Sequence, residues 1–157
     1  MINKEEFQQH VLACYPQEAC GYILEDKFYP VENSHNNPTE SFSFPETVSF
    51  ELLGKDYKVI HSHTYVTYED DPRIPSEKDM KAQALTNVPW GIVHCDGTVV
   101  SEILYFGPPS REELLNRPYI SNVYDCFTLA RDFIYIEQGL DIGSHPRPAD
   151  WESWNPK

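Results

Sequence analysis

Apolar residues recur at Phe7, Val11 and Leu12 within residues 4–13, a helical spacing that Pro16 brings to an end. Two short runs follow, Cys20–Leu24 and Lys27–Val31, separated only by Glu25-Asp26, and their length and separation predict a hairpin of two strands. Helical spacing returns weakly at Val48, Leu52 and Leu53 before Gly54, and residues 57–62 then read as a strand. Beyond a long polar stretch, residues 76–85 are predicted to be a helix with Met80, Ala84 and Leu85 on its inner side. Trp90–His94 and residues 99–106 read as two more strands around the turn signal Asp96-Gly97. Helices and strands mixed in this order predict an α/β fold, a small mixed sheet packed against helices.

Composition narrows the class. A chain of 157 residues, 40% hydrophobic and 13% aromatic, holds one domain of ordinary size with a modest remainder and has enough apolar material for a core. The net charge of −13, from 25 acidic against 12 basic residues, argues against general electrostatic binding to nucleic acid or an anionic membrane. Thirteen prolines against seven glycines predict rigid turns, concentrated at residues 30–45, at 72–75 and beyond 108. The four cysteines contain no Cys-x-x-Cys pair, which argues against a zinc ribbon, a thioredoxin-like motif and cytidine-deaminase zinc chemistry. Residues 1–6 carry no apolar leader segment, and no apolar run approaches the length of a membrane span. The expectation is synthesis in a host cytoplasm without a signal peptide, with thiols reduced.

The candidate chemistry lies at the end of the apolar run Val59-Ile60-His61-Ser62-His63. Side chains two apart on a strand leave the same face, so His61 and His63 can reach one ion. Ser76 and Asp79, three apart at the start of a helical pattern, are neighbours on its first turn. Two imidazoles and a carboxylate leave the fourth position of a tetrahedral zinc open for water, as catalytic zinc requires. Each half also has a plainer reading: Ser76-x-x-Asp79 is a helix-capping pattern, and paired histidines occur on ordinary strand ends. Their occurrence together, with the acidic Glu18 upstream, points to a metal site. Zinc suits nitrogen and carboxylate ligands best, with iron, manganese and cobalt as alternatives.

Glu18 before Cys20-Gly21 and an apolar strand, then His61-Ser62-His63, then Ser76-x-x-Asp79, resembles the JAMM (MPN-type) metallopeptidases. The segment from Asn33 to Pro38, with Phe42 and Phe44, is similar to the Asn-rich stretch those domains carry before their middle helix. Covering residues 1–107, the resemblance implies a JAMM/MPN-like (cytidine-deaminase-like) sandwich. It also implies zinc on His61, His63 and Asp79, Glu18 as general base and Ser76 steadying the oxyanion. The chain departs from that pattern in two places. Thr64 follows the second histidine, where the family often has a proline. The family has about seven residues between the second histidine and the serine, whereas here twelve intervene. The acidic and aromatic residues 65–71 in that insertion read as a mobile solvated loop, a substrate-selecting lid, or a source of a carboxylate that occupies the open metal position.

From Gly107-Pro108-Pro109-Ser110 the character changes, and 108–120 reads as a linker. Residues 124–133, with Asp125-Cys126 at their start, resemble the catalytic helix of NlpC-type cysteine peptidases, which implies Cys126 as a nucleophile. A helix N-terminus favours a thiolate, though a cysteine on an amphipathic helix also serves as a small core residue. His145 is too close in sequence to be its base, so 121–157 reads as an incomplete NlpC-like segment of a naturally short or shortened chain. This tandem order is similar to that of the tail assembly proteins of long-tailed, lambda-like bacteriophages. It implies a hydrolase of peptidoglycan peptides or tail proteins, with phage tail proteins as partners and a final place in the virion tail. The alternatives are a catalytically silent module for tail assembly and an isopeptidase that processes ubiquitin-like proteins.

Overall fold

A computed structural model describes residues 3–65 and 71–148. Their order is α1 (Lys4–Cys14), β1 (Cys20–Leu24), β2 (Lys27–Val31), α2 (Glu46–Glu51), β3 (Tyr57–His63), α3 (Glu77–Thr86), β4 (Trp90–His94), β5 (Leu104–Phe106) and α4 (Cys126–Gln138). The result is a mixed α/β protein with a five-stranded sheet in the order β2-β1-β3-β4-β5. Strand β1 runs antiparallel to both β2 and β3, while β3 runs parallel to β4. The histidine strand therefore lies in the middle. The described residues divide into two compact units, one within Met1–Arg73 and Trp90–Leu104, the other within Ile74–Pro89 and Tyr105–Lys157.

In the first unit, α1 starts at Asn3, whose side chain accepts from the Glu5 and Glu6 N–H groups, and two acidic residues in its first turn complement the helix dipole. Phe7 and Val11 join Ala19, Ile23, Phe28, Ile60, Val93 and Cys95 in the core. The Phe7 and Phe28 rings meet edge to face at 5.0 Å. Gly21 is required by this packing, since a Cβ there would lie 2.5 Å from the Phe28 ring and from the Tyr29 carbonyl. The β1–β2 turn forms as expected, with Glu25 and Asp26 both at positive φ, the conformation a two-residue hairpin loop demands. The last predicted strand is shorter than residues 99–106. Val100 makes only an isolated bridge to Cys95, and the Ser101 hydroxyl accepts the His94 N–H at 2.8 Å, replacing a ladder bond.

In the second unit, Ser76 caps α3 and Asn87 ends it in the left-handed conformation. Met80 is buried as expected, but Leu85 is 89% exposed. At about 100° per residue Leu85 lies roughly 200° from the buried Gln83, so the inner face belongs to Asp79, Met80 and Gln83 instead. The Gln83 side chain donates to the Val88 carbonyl and accepts from the Ser144 hydroxyl, which satisfies it in the interior. Asp125 caps α4 in a reciprocal pair with Thr128. Asp132, also buried, pairs with Arg117 at 2.7 Å and Arg131 at 3.1 Å and accepts the Ser110 N–H, fastening residues 110–117 to α4. Residues 66–70 of the insertion, on which the lid reading rests, and the tail with Trp151 and Trp154 lie outside the described residues.

Candidate metal centre

Strand pairing places the histidines. His61 sits between Cys20 on β1 and Ile92 on β4, and His63 pairs with His94. The β1–β3 ladder continues one step beyond β1, where the Ser62 N–H donates to the Ala19 carbonyl at 2.9 Å and the Ala19 N–H donates to the Ser62 hydroxyl at 2.8 Å. Glu18 precedes this step directly in the chain. Glu18, His61 and His63 are all buried, at 3%, 1% and 1% exposure.

The two imidazoles converge, with Nε2 of His61 lying 3.3 Å from Nε2 of His63. On its far side His63 Nδ1 lies 2.9 Å from the Pro72 carbonyl oxygen. A carbonyl has no proton to give, so Nδ1–H donates, and in the neutral ring Nε2 is left with its lone pair. This is the outer partner that a metal-ligating histidine ordinarily has. Two nitrogens each about 2.0–2.1 Å from a tetrahedral zinc stand about 3.3–3.4 Å apart, so the pair fits a shared ion without rearrangement. Aromatic rings hold the imidazole planes: Phe42 stacks on His61 at 4.4 Å, Trp90 meets it edge-on at 5.8 Å, and Tyr65 stacks on His63 at 5.1 Å.

Glu18 is held through its backbone. Its N–H donates to the Pro38 carbonyl at 2.7 Å, and its carbonyl accepts from Asn33 Nδ2 at 3.0 Å. The same amide nitrogen donates to the Ser41 carbonyl at 2.9 Å, while Asn33 Oδ1 accepts from the His35 and Ser43 N–H groups. One side chain thus ties the general-base candidate to the loop that carries Phe42.

In the second unit, Ser76 and Asp79 form the capping box that their spacing allows. The Ser76 N–H donates to Asp79 Oδ2 at 2.9 Å, and the Asp79 N–H donates to the Ser76 hydroxyl at 3.1 Å. The cap uses one of the two carboxylate oxygens. Cys126 opens α4 and is exposed, directly after the capping Asp125. The His145 ring rests against Phe127 at 5.6 Å. Away from the centre, His10 Nε2 donates to the Cys20 carbonyl at 3.1 Å, and His35 Nδ1 accepts the Asn37 N–H.

The sequence pattern did not single out Pro72 or Trp90 beside the histidines, and it marked Tyr65 only as part of the acidic and aromatic insertion. Pro72 acts through a backbone carbonyl, which leaves no side-chain signature. The only available signal was the opposite charges of Asp71 and Arg73 on either side of a proline.

Fold and site together define a mixed α/β protein with a buried pair of histidines on its central strand. No family model matches the chain. Over 151 residues, 92% of its length, it is 28% identical to the tail tip assembly protein K of Escherichia phage N15, and it spans 58% of that relative. The solution structure of protein DSY2949 from Desulfitobacterium hafniense covers 69% of this chain and 83% of its own. Its TM-score of 0.41 and 20% identity make it too distant to define the fold. Among the described residues no helix is long and apolar enough to cross a membrane.

Proposed function

We propose that the chain serves in assembly of a phage tail tip, with tail proteins as its partners and the virion tail as its destination. The similarity over 92% of its length to the phage N15 tail tip assembly protein carries this reading. Deleting the coding sequence from the phage that bears it, and imaging the particles by electron microscopy, tests it. Missing or malformed tails, restored by supplying the chain in trans, are expected. Normal infectious tails would refute the proposal.

A second reading, favoured by the convergence of the two imidazoles and the Pro72 carbonyl behind His63, is that residues 1–107 are a JAMM-type zinc-dependent peptide or isopeptide hydrolase, followed by the 108–120 linker and an NlpC-like start. The two imidazoles of His61 and His63 with the carboxylate of Asp79 would make a donor set suited to zinc, with a position left for water. Bound there, zinc would make that water acidic enough to lose a proton near neutral pH. Glu18 would take the proton, held in place by the Pro38 and Asn33 hydrogen bonds to its backbone. Ser76 would donate its hydroxyl hydrogen to the developing oxyanion. Glu18→Gln separates the two readings, because it should leave zinc bound while abolishing peptide hydrolysis. Tail formation unimpaired by Glu18→Gln, but lost with the whole chain, would leave assembly as the function that matters.

A further inference from the structure

Resting on the metal reading above, we propose that Asp71, Pro72 and Arg73 form a clamp that fixes the tautomer of His63 and so sets the metal affinity of the centre. The long spacing between His63 and Ser76 then has a purpose, since residues 71–73 within it build the outer partner of a ligand.

The geometry of the clamp carries the argument. Arg73 Nε donates to Asp71 Oδ1 at 2.9 Å and Arg73 Nη2 to Asp71 Oδ2 at 2.7 Å, a two-pronged pairing of planar groups. The Arg73 backbone N–H also donates to Asp71 Oδ1, at 3.0 Å. These three bonds close a turn around Pro72, whose ring already fixes its φ. Arg73 Nη1 then donates to the Glu102 carbonyl at 3.0 Å, anchoring the turn to the segment that follows β4. Both side chains are largely withdrawn from water, at 21% exposure for Asp71 and 24% for Arg73, so solvent competes weakly with the pairing. The one outward product of this rigid turn is the Pro72 carbonyl, 2.9 Å from His63 Nδ1. Without that acceptor in place, His63 is free to carry its proton on Nε2, and that tautomer cannot bind metal through the nitrogen that faces His61. Arg73 and Asp71 are therefore positioning residues, which act on His63 only through the Pro72 carbonyl.

Two readouts on the full chain test this, neither of them catalytic. The first is the imidazole nitrogen spectrum of the metal-free protein, labelled with ¹⁵N at histidine. The second is the zinc dissociation constant, measured by competition with a chelator. Wild type should show His63 protonated at Nδ1. Arg73→Ala should mix the two tautomers and weaken zinc binding by about 10–100-fold, the usual loss when an outer partner is removed, with the circular dichroism spectrum unchanged. Arg73→Lys, which keeps the charge without the fork, should fall between. If Arg73→Ala does not fold, Asp71→Asn is read on the same two scales with the same expectation. A folded variant with wild-type tautomer and wild-type zinc affinity overturns the clamp. Failure of the wild type to bind zinc overturns the metal reading instead, and the tautomer spectra then still decide whether the clamp orients His63.

Discussion

Asn33→Ala is the most informative single change to the scaffold of the candidate centre. The side chain makes four hydrogen bonds between 2.9 and 3.2 Å, donating to the Glu18 and Ser41 carbonyls and accepting from the His35 and Ser43 N–H groups. A fifth contact, to the Pro38 carbonyl, is longer at 3.4 Å. Each neutral hydrogen bond contributes about 0.5–1.5 kcal/mol net, and water reaches part of this half-buried site, so the expected loss is about 2–4 kcal/mol. Asn33→Asp keeps both acceptor roles but turns a carboxylate oxygen toward the carbonyls, and should cost at least as much. Urea denaturation followed by circular dichroism reads the change, with the midpoint falling while the slope holds. Because Asn33 fixes the backbone on both sides of Phe42, His61 should also react faster with diethyl pyrocarbonate in the variant. A stability change under about 0.5 kcal/mol for Asn33→Ala, with unchanged His61 reactivity, would show that the loop is held by other means and that Asn33 is not its organiser.

Two further expectations concern the second unit and the thiols. Burial works to raise the Asp125 carboxyl, but its hydrogen bonds from Arg147 and the Thr128 N–H outweigh this and hold it below the ordinary carboxylate range. A depressed folded value means that the contribution of the pair is fully present above the unfolded value, about 3.9, and is lost as pH falls through the folded value. The stability gap between wild type and Asp125→Asn should therefore be constant above about pH 5 and shrink below about pH 4; a gap independent of pH down to 2 would contradict the assignment. Among the four free cysteines, Cys126 is exposed, whereas Cys20 and Cys95 are buried and burial pushes the Cys20 thiol up to about 12. Native protein should thus react with a thiol reagent first at Cys126, as read by peptide mapping, and first labelling at Cys20 or Cys95 would count against the packing described.

Much of this architecture was legible in the sequence because periodicity and turn chemistry are local. Phe7 and Val11 announced the buried face of α1, Glu25-Asp26 marked the hairpin, and the run ending in His63 announced the central strand. Local pattern failed where tertiary partners decided. Leu85 looked like a core residue but lies across the helix from Gln83, a polar side chain that the interior accepts because Val88 and Ser144 complete its hydrogen bonds. The strand predicted over residues 99–106 is regular only at Leu104–Phe106: the Ser101 N–H still donates to the His94 carbonyl, but the Ser101 hydroxyl takes the His94 N–H, a side-chain role that no periodicity reveals. At the centre the ligand types were readable from residue identity, while the pieces that orient them were not: a proline carbonyl, a stacked Phe42 and an edge-on Trp90 owe their roles to register and loop path.

The metal content of the purified chain tests the account most directly, measured by elemental analysis beside a His61→Ala/His63→Ala variant whose folding is checked by circular dichroism. The account predicts about one zinc per chain in the wild type, lost in the variant. A folded wild-type protein that takes up no zinc after reconstitution, or a double variant that retains it, would contradict the assignment of a metal centre to the paired histidines.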